Sequence, residues 1–242
     1  MIARTVHAIA YDSIHDEFMV ANSLPQSIMT FLGGADGDEA PIRVIQGPLT
    51  QLRNPDVLAL DAVHDEIFVP LEYAILVFDR KANGNVAPLR VLNAPDDASF
   101  GYGIVIDPAR NLLIKMARGA DGNVRILLYD RTAKGDATPK AVIGGPKSGM
   151  RMAGGMIAIT PEGWIVATQP SPGGDTQGRF ETDSFVGVWN VQDKGDVPPT
   201  WKIGQGIVQR PKGVSLDVKN KSVIVSEKGL NAILTYEVPE IF

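Results

Sequence analysis

The segment ANGNVAPLRV, residues Ala82–Val91, occurs in four versions along the chain. The other copies are ADGDEAP at Ala35–Pro41, AKGDATP at Ala133–Pro139 and, more loosely, DKGDVPP at Asp193–Pro199. A recurrence at intervals of roughly 50 residues is typical of stacked supersecondary units. We interpret the motif as a hairpin connection, because Gly readily adopts positive φ and Asn or Asp tolerates it. Its Pro then opens the next strand, where the missing N–H costs least.

Each repeat contains up to four short β-like runs. The first runs are Ala8–Asp12, Leu58–Asp61, Ile104–Asp107, Ile157–Thr160 and Val214–Asp217. In the first repeat, Glu17–Asn22 and Ser27–Phe31 follow, and Ile42–Gln46 comes after the motif. Runs such as Ala74–Phe78 are apolar without alternation, as expected of strands covered on both faces. The repeats span approximately residues 1-53, 54-99, 100-152, 153-209 and 210-242, and the last has only three runs.

Four-stranded sheets in series predict an all-β fold, a β-propeller whose blades are the repeats. The segments before the first strands support this prediction: Pro55–Leu58 (PDVL), Gly101–Ile104 (GYGI) and Pro211–Val214 (PKGV). Together with EIFV at Glu66–Val69, they resemble the P-x-G-I-A-V-D…I-Y-V-A-N pattern of NHL-repeat β-propellers. The resemblance implies the architecture. It implies no single activity, because that family includes adhesion modules, RNA- and protein-binding modules and a few enzymes.

Five first strands predict five blades, with an imperfect last blade that ends in a stub, Pro239–Phe242. An N-terminal strand at Arg4–Val6 could complete that blade only by crossing about three strand spacings, roughly 14 Å. The two residues His7 and Ala8 are too short for this distance. We therefore expect Arg4–Asp12 to form one long innermost strand. A six-bladed ring, or part of a larger propeller, is the alternative.

The composition is that of a globular protein, and we expect residues 1-242 to form a single domain. The chain has 44% hydrophobic residues, a net charge of −5 and no cysteine. This charge argues against a nucleic-acid partner, and no 18-residue apolar run predicts insertion into a membrane. The sequence leaves the compartment open: secreted or periplasmic if a leader was removed, otherwise cytoplasmic.

Motifs of known catalytic chemistry are not matched. His15 and His64 occupy the same turn of successive repeats, and we interpret them as turn residues. Asp36–Glu39 lacks the ligand spacing of a calcium loop, so we interpret it as a turn too. Gly144–Gly149 differs from a phosphate-binding loop and precedes no long helix. We therefore expect no catalytic residues.

Functional residues are expected on the face that carries the second-to-third and fourth-to-first strand connections, because these connections diverge between the repeats. The predicted ligand-binding residues there are Arg53, Glu72, Tyr73, Tyr102, Arg118, Arg151, Asp183, Arg210 and Glu227. Asp121, Arg179 and Lys212 share this face. The longest connection, Gln169–Ser184, is either a binding loop or a covering segment.

Mixed charges and aromatic residues on one face predict a non-catalytic binding or scaffold module for a protein, peptide or glycan. The alternative is a lactonase-like hydrolase or lyase with one divalent ion, Ca²⁺ or Zn²⁺, in a central funnel. Glu72 and Glu227 occupy matching places after their second strands. This resembles gluconolactonase-type propellers, which this chain otherwise does not match and in which Glu, Asp and Asn at such places bind the metal; Asn22 is the third candidate ligand. Self-association through an unpaired edge of the last blade is a further expectation.

Overall fold

The computed structural model describes residues 8–170 and 183–242. These residues form nineteen strands in four four-stranded antiparallel sheets and one three-stranded sheet, which we number blades 1 to 5. Blade 1 comprises β1 (Ile9–Asp12), β2 (Glu17–Asn22), β3 (Ser27–Leu32) and β4 (Arg43–Gln46); blade 2, β5 (Ala59–Asp61), β6 (Glu66–Pro70), β7 (Ala74–Asp79) and β8 (Arg90–Asn93); blade 3, β9 (Ala98–Asp107), β10 (Leu112–Gly119), β11 (Val124–Asp130) and β12 (Ala141–Gly144); blade 4, β13 (Ile157–Ile159), β14 (Trp164–Gln169), β15 (Phe185–Asn190) and β16 (Trp201–Ile203); blade 5, β17 (Pro211–Asp217), β18 (Ser222–Glu227) and β19 (Ala232–Glu237).

This arrangement confirms the predicted fold class, a five-bladed β-propeller whose last blade lacks a fourth strand among the described residues. The largest difference from the predicted strands is β9, which begins at Ala98 rather than at Ile104. Gly101, within this extension of the strand, allows a close approach of two backbones. A Cβ on Gly101 would lie 1.9 Å from the carbonyl oxygen of Ala153.

The turn after the first strand is fixed by a buried aspartate in blades 1 and 2. Asp12 Oδ1 accepts hydrogen bonds from the backbone N–H groups of Ile14 and His15. Asp12 Oδ2 lies 2.8 Å from His15 Nδ1, and Asp61 repeats this contact with His64 at 2.8 Å. Both histidines therefore lie where the sequence places them, in repeat turns.

The recurring motif has a second role, which the sequence analysis missed. Besides joining the third and fourth strands of its own blade, it pairs with the fourth strand of the preceding blade through one glycine. Gly84, Gly135 and Gly195 form parallel bridges with Ile45, Leu92 and Ile143. We call the four-residue segment with this glycine in third place the clamp. The clamps are Ala82–Asn85, Ala133–Asp136 and Asp193–Asp196, and the copy in blade 1 is Ala35–Asp38.

The chain divides into two compact units. The first comprises residues 1–96, 106–112 and 130–138, and the second comprises residues 97–105, 113–129 and 139–242. In the first unit, Met19, Ile28 and Ile45 of blade 1 pack against Val69 and Phe78 of blade 2. In the second unit, valines of β14, β15 and β18 form a corresponding apolar cluster.

The C-terminal stub is a short 3₁₀ turn, Pro239–Ile241. Ile241 is fully buried, and it belongs to the apolar cluster that contains Ile203 of β16 and Val188 of β15. The turn follows β19 at the point where the other blades carry the motif. Among the described residues there is no helix long and apolar enough to cross a membrane.

Candidate functional site

A groove of about 930 Å³ lies in the first unit, where the β2–β3 and β4–β5 connections meet the beginning of β7. Its apolar lining comes mainly from Leu24, Leu52, Leu71, Leu76 and Val91. Amide and guanidinium groups complete the lining, and they belong to Gln26, Gln46, Gln51, Asn93 and Arg53. The groove thus combines an apolar floor with several hydrogen-bonding side chains.

The β4–β5 connection is shaped by its local sequence. Gly47 has φ 126, and the next three residues form a 3₁₀ turn, Pro48–Thr50. The Thr50 hydroxyl donates to the Gly47 carbonyl at 2.6 Å and stabilises this turn. Gln46 Nε2 donates to the Pro25 carbonyl at 2.8 Å, so the two connections that line the groove are joined directly.

Two groove residues have strained backbones. Gln26 and Gln51 lie in the left-handed region, with φ of 54° and 59°, where residues other than glycine are uncommon. The same conformation recurs in turns between strands elsewhere in the chain, at Asp16, Asp65, Asn111, Lys221 and Asn231. The side chains of Gln26, Gln51 and Arg53 are exposed and make no hydrogen bond or ion pair within the described part of the chain. They are therefore available to a ligand.

The groove includes only part of the predicted site. Arg53 lines it, whereas Glu72 and Tyr73 lie exposed between two lining residues, Leu71 and Ala74. The neighbouring Glu72 carboxylate raises the pKa of the exposed Tyr73 hydroxyl. The sequence analysis missed the three glutamines of the groove. The one sequence signal that could have indicated this part of the groove was the Gly-Pro pair at Gly47, which recurs at Gly145.

In the second unit, three of the predicted ligand-binding residues contact one another: Arg118, Arg151 and Asp183. Arg118 donates to the carbonyl of Arg151 at 2.8 Å, and Arg151 Nη1 lies 3.2 Å from Asp183 Oδ2. Tyr102 is contacted by Lys212, whose Nζ lies 5.5 Å from the centre of the ring. Residues 171–182 of the long loop, with Arg179, lie outside the described residues.

Glu227 connects two segments of backbone. Its carboxylate is buried and accepts hydrogen bonds from the N–H groups of Arg210 and Leu230. Of the other candidate metal ligands, Asn22 Oδ1 accepts the N–H of Leu24 at 3.3 Å. No three His, Cys, Asp or Glu side chains of the described residues form a group that could hold a metal ion.

Two clusters of buried and half-buried charges lie at the other end of the strands in the first unit. Glu17 binds Arg43 and Arg80, and Glu66 binds Arg90 and Arg131 in the same way. Burial opposes ionisation of Glu66, but the hydrogen bond from Arg90 and the charges of both arginines lower its pKa below the usual range. Each cluster joins consecutive blades, and its charges are paired. We therefore assign both clusters to stability rather than to ligand binding.

The fully buried Lys115 is the most unusual ionisable residue of the second unit. Its Nζ donates to the carbonyls of Gly101 and Gly103, the latter at 3.0 Å, and lies 5.6 Å from the centre of the Phe100 ring. Burial lowers the pKa of Lys115 well below its ordinary value.

No family model matches the chain, and no curated protein matches it in sequence. Solved structures do resemble it. A chain in the crystal structure of a nidogen/laminin complex is 15% identical, with a TM-score of 0.57 over 98% of this chain and 82% of the other. The β-propeller domain of Cps50 (Swd1) from Myceliophteria thermophila is 13% identical, with a TM-score of 0.59. This second match covers 96% of the present chain and 65% of that chain. Likeness at this level of identity shows the β-propeller fold alone.

Proposed function

We propose that this protein is a non-catalytic binding propeller of the NHL-repeat type that engages a segment of a partner protein through its loop-rich face. The observation that carries the proposal is the groove of about 930 Å³ in the first unit. One of the similar structures is itself a complex, that of nidogen with laminin. Protein binding is therefore compatible with this architecture.

The lining of the groove favours an extended peptide over a glycan. Backbone amides of a bound peptide would find hydrogen-bonding partners in Gln26 and Gln51, which have no other partners among the described residues. Apolar side chains would contact Leu24, Leu52 and Leu71. None of the lining residues is aromatic, so a sugar ring would have no flat apolar surface to stack on.

Arg53 suggests a preference for an acidic side chain or a carboxyl terminus. It lines the groove and has no ion-pair partner in the described ranges. Its guanidinium can bind a carboxylate through two parallel hydrogen bonds, and this geometry provides both affinity and orientation.

A peptide library displayed on phage tests the proposal. We expect the wild-type protein to enrich a family of sequences, and the double variant Leu24→Asp, Arg53→Glu to bind them at least tenfold more weakly. The matched control, Val218→Asp with Lys219→Glu, makes the same chemical changes at exposed positions of the turn after β17. This control should bind like the wild type. No enrichment, or an equal loss in both double variants, would refute the proposal.

A further inference from the structure

The chain has four clamps, and three of them hold a strand in the part of the chain that the structure describes. The clamps of blades 2, 3 and 4 each pair with a strand of the preceding blade. The copy in blade 1, Ala35–Asp38, pairs with none within the described residues. Its glycine is nevertheless in the same left-handed conformation: φ is 57° at Gly37 and 83°, 60° and 74° at its three equivalents. The clamp of blade 1 therefore has the conformation of the filled clamps, although no strand of residues 8–170 and 183–242 pairs with it.

The three filled clamps show how a strand is held. The N–H of each clamp glycine donates to a valine carbonyl, as Gly84 does to Val44 at 2.6 Å. The carbonyl of the same glycine accepts an N–H two residues further along the strand, as from Gln46 at 3.1 Å. The residue between them, Ile45, is buried, as are its equivalents Leu92 and Ile143. The held strand therefore contributes two backbone hydrogen bonds and one apolar side chain.

The residue after the clamp glycine makes a third contact. Asn85 accepts the N–H of Leu49 at 2.8 Å, and Asp196 accepts the N–H of Lys147 at 2.7 Å. Asp136 accepts a side-chain hydrogen bond from Asn93 at 2.7 Å. In blade 1 the equivalent residue is the exposed Asp38.

The held segments share a sequence pattern: VIQGP at Val44–Pro48, VLNAP at Val91–Pro95 and VIGGP at Val142–Pro146. Glycine at the fourth position of the first and third segments avoids a close contact with the clamp, whereas the second segment carries Ala94 there. A Cβ on Gly47 would lie 2.6 Å from Asn85 Oδ1, and one on Gly145 would lie 2.5 Å from Asp196 Oδ1. A clamp therefore selects an extended Val-Ile/Leu-x-Gly/Ala-Pro segment.

Blade 1 also differs from blade 2 in the exposure of its first strand, and Leu32, whose carbonyl accepts the N–H of Ala35 in the clamp, is exposed as well. Ile9 is 66% exposed, whereas its equivalent Leu58 in blade 2 is 6% exposed. Leu32 and Tyr11 of the same blade are 53% and 60% exposed.

We propose that Ala35–Asp38 binds an extended segment of a partner protein with the pattern Val-Ile/Leu-x-Gly/Ala-Pro. Gly37 would form the parallel bridge, and Asp38 would accept an N–H that follows the small residue. This is recognition by strand addition, in which the backbone provides affinity and the side chains provide specificity. Asp36, Asp38 and Glu39 make this copy more acidic than the others, so basic residues beside the pattern are favoured.

The chain itself supplies the probe, a fluorescein-labelled peptide with the sequence of residues 43–49, RVIQGPL. We expect saturable binding to the wild-type protein by fluorescence anisotropy. The same peptide with Ile45→Asp should bind at least tenfold more weakly. The protein variant Asp38→Ala should weaken binding about fivefold or more, because a hydrogen bond to a charged acceptor is lost.

Glu39→Ala is the matched control, because it removes the same charge at a position where the filled clamps carry Val86, Ala137 and Val197. It should change the affinity less than twofold, and Arg53→Glu in the groove should leave it unchanged. Both acidic residues are exposed, so thermal melts should show folded variants. No saturable binding, equal affinity for both peptides, or equal losses with Asp38→Ala and Glu39→Ala would overturn the proposal.

Discussion

Tyr129 carries a buried hydroxyl that has no hydrogen-bond partner among the described residues. Burial raises its pKa to about 12. Phe78 occupies the same register position in blade 2 and is equally buried, so this position accepts an aromatic ring without a hydroxyl. An unsatisfied buried polar group costs about 1–3 kcal/mol.

We predict that Tyr129→Phe raises the free energy of unfolding by about 1 kcal/mol, because it removes a desolvated hydroxyl and keeps the ring. Chemical denaturation monitored by circular dichroism measures this change. The reverse substitution, Phe78→Tyr, should lower stability. A loss of stability in Tyr129→Phe would show that the hydroxyl is satisfied, for example by an ordered water.

Lys115 predicts a dependence of stability on pH. Its pKa is lowered in the folded state, whereas that of an unfolded lysine is about 10.4. Between these two values the unfolded chain binds more protons, so the free energy of unfolding rises with pH and falls as the solution is acidified. We expect the wild type to gain more stability between about pH 8 and pH 10 than Lys115→Met. Parallel stability curves would contradict this prediction.

At the scale of elements, the blades use two kinds of chemistry at equivalent positions. Glu66, Arg90 and Arg131 form a charged cluster, as do Glu17, Arg43 and Arg80. The same positions further along the chain are Leu112, Ala141 and Val191, and then Trp164, Trp201 and Val238. The three residues thus change together within one chain, from charged to apolar.

This pattern predicts non-additive substitutions. Glu66→Leu alone should destabilise the protein by about 1.5–3 kcal/mol, because the half-buried Arg90 loses its carboxylate partner and Arg131 keeps only Asn111 and the more distant Asp61. The triple variant Glu66→Leu, Arg90→Ala, Arg131→Val should recover most of this loss, because all three charges disappear together. Urea denaturation of the single and triple variants tests this. A triple variant less stable than the single would contradict the prediction.

The C-terminal turn predicts another effect at this scale. Ile241 is fully buried beside Ile203, so Ile241→Ala should cost about 2–5 kcal/mol. Ile233→Ala is the control, because Ile233 is an exposed residue of β19 and its truncation should change stability by less than about 0.5 kcal/mol. Equal effects of the two truncations in thermal melts would show that the turn does not anchor the chain end.

The strands were predictable because their signals are local. Glu17–Asn22 and Ser222–Glu227 begin and end where the apolar runs and turn residues place them. The clamp was not predictable, because Gly84 pairs with a strand about 40 residues away and the local sequence around Gly84 does not indicate which strand that is. Of the groove residues, only Arg53 was predicted from the sequence. Gln26 and Gln51 were missed because their positive φ contradicts the backbone preference of glutamine.

For the whole molecule, the effect of metal removal on the melting temperature distinguishes the proposed binding function from the alternative, a metal-dependent hydrolase. We predict that EDTA leaves the melting temperature unchanged, because no metal-binding group of three acidic, His or Cys side chains occurs in the described ranges. A ligand that binds only the folded state would raise stability by mass action. A fall on chelation, reversed by Ca²⁺ or Zn²⁺, would contradict the prediction and direct attention to Asn22, Glu72 and Glu227.

The change from charged to apolar chemistry along the blades also bears on how the repeats find their order during folding. If all repeats presented the same side chains, neighbouring blades could dock out of sequence, or exchange between two chains that fold side by side. Arg131 finds a carboxylate in blade 2, whereas its counterpart Val238 lies in an apolar cluster beside Trp164 and Trp201. A misplaced docking would leave a charge buried against hydrocarbon, a state costly enough to be rejected. The side chains between the blades therefore both stabilise the contact and distinguish the correct neighbouring blade from the others.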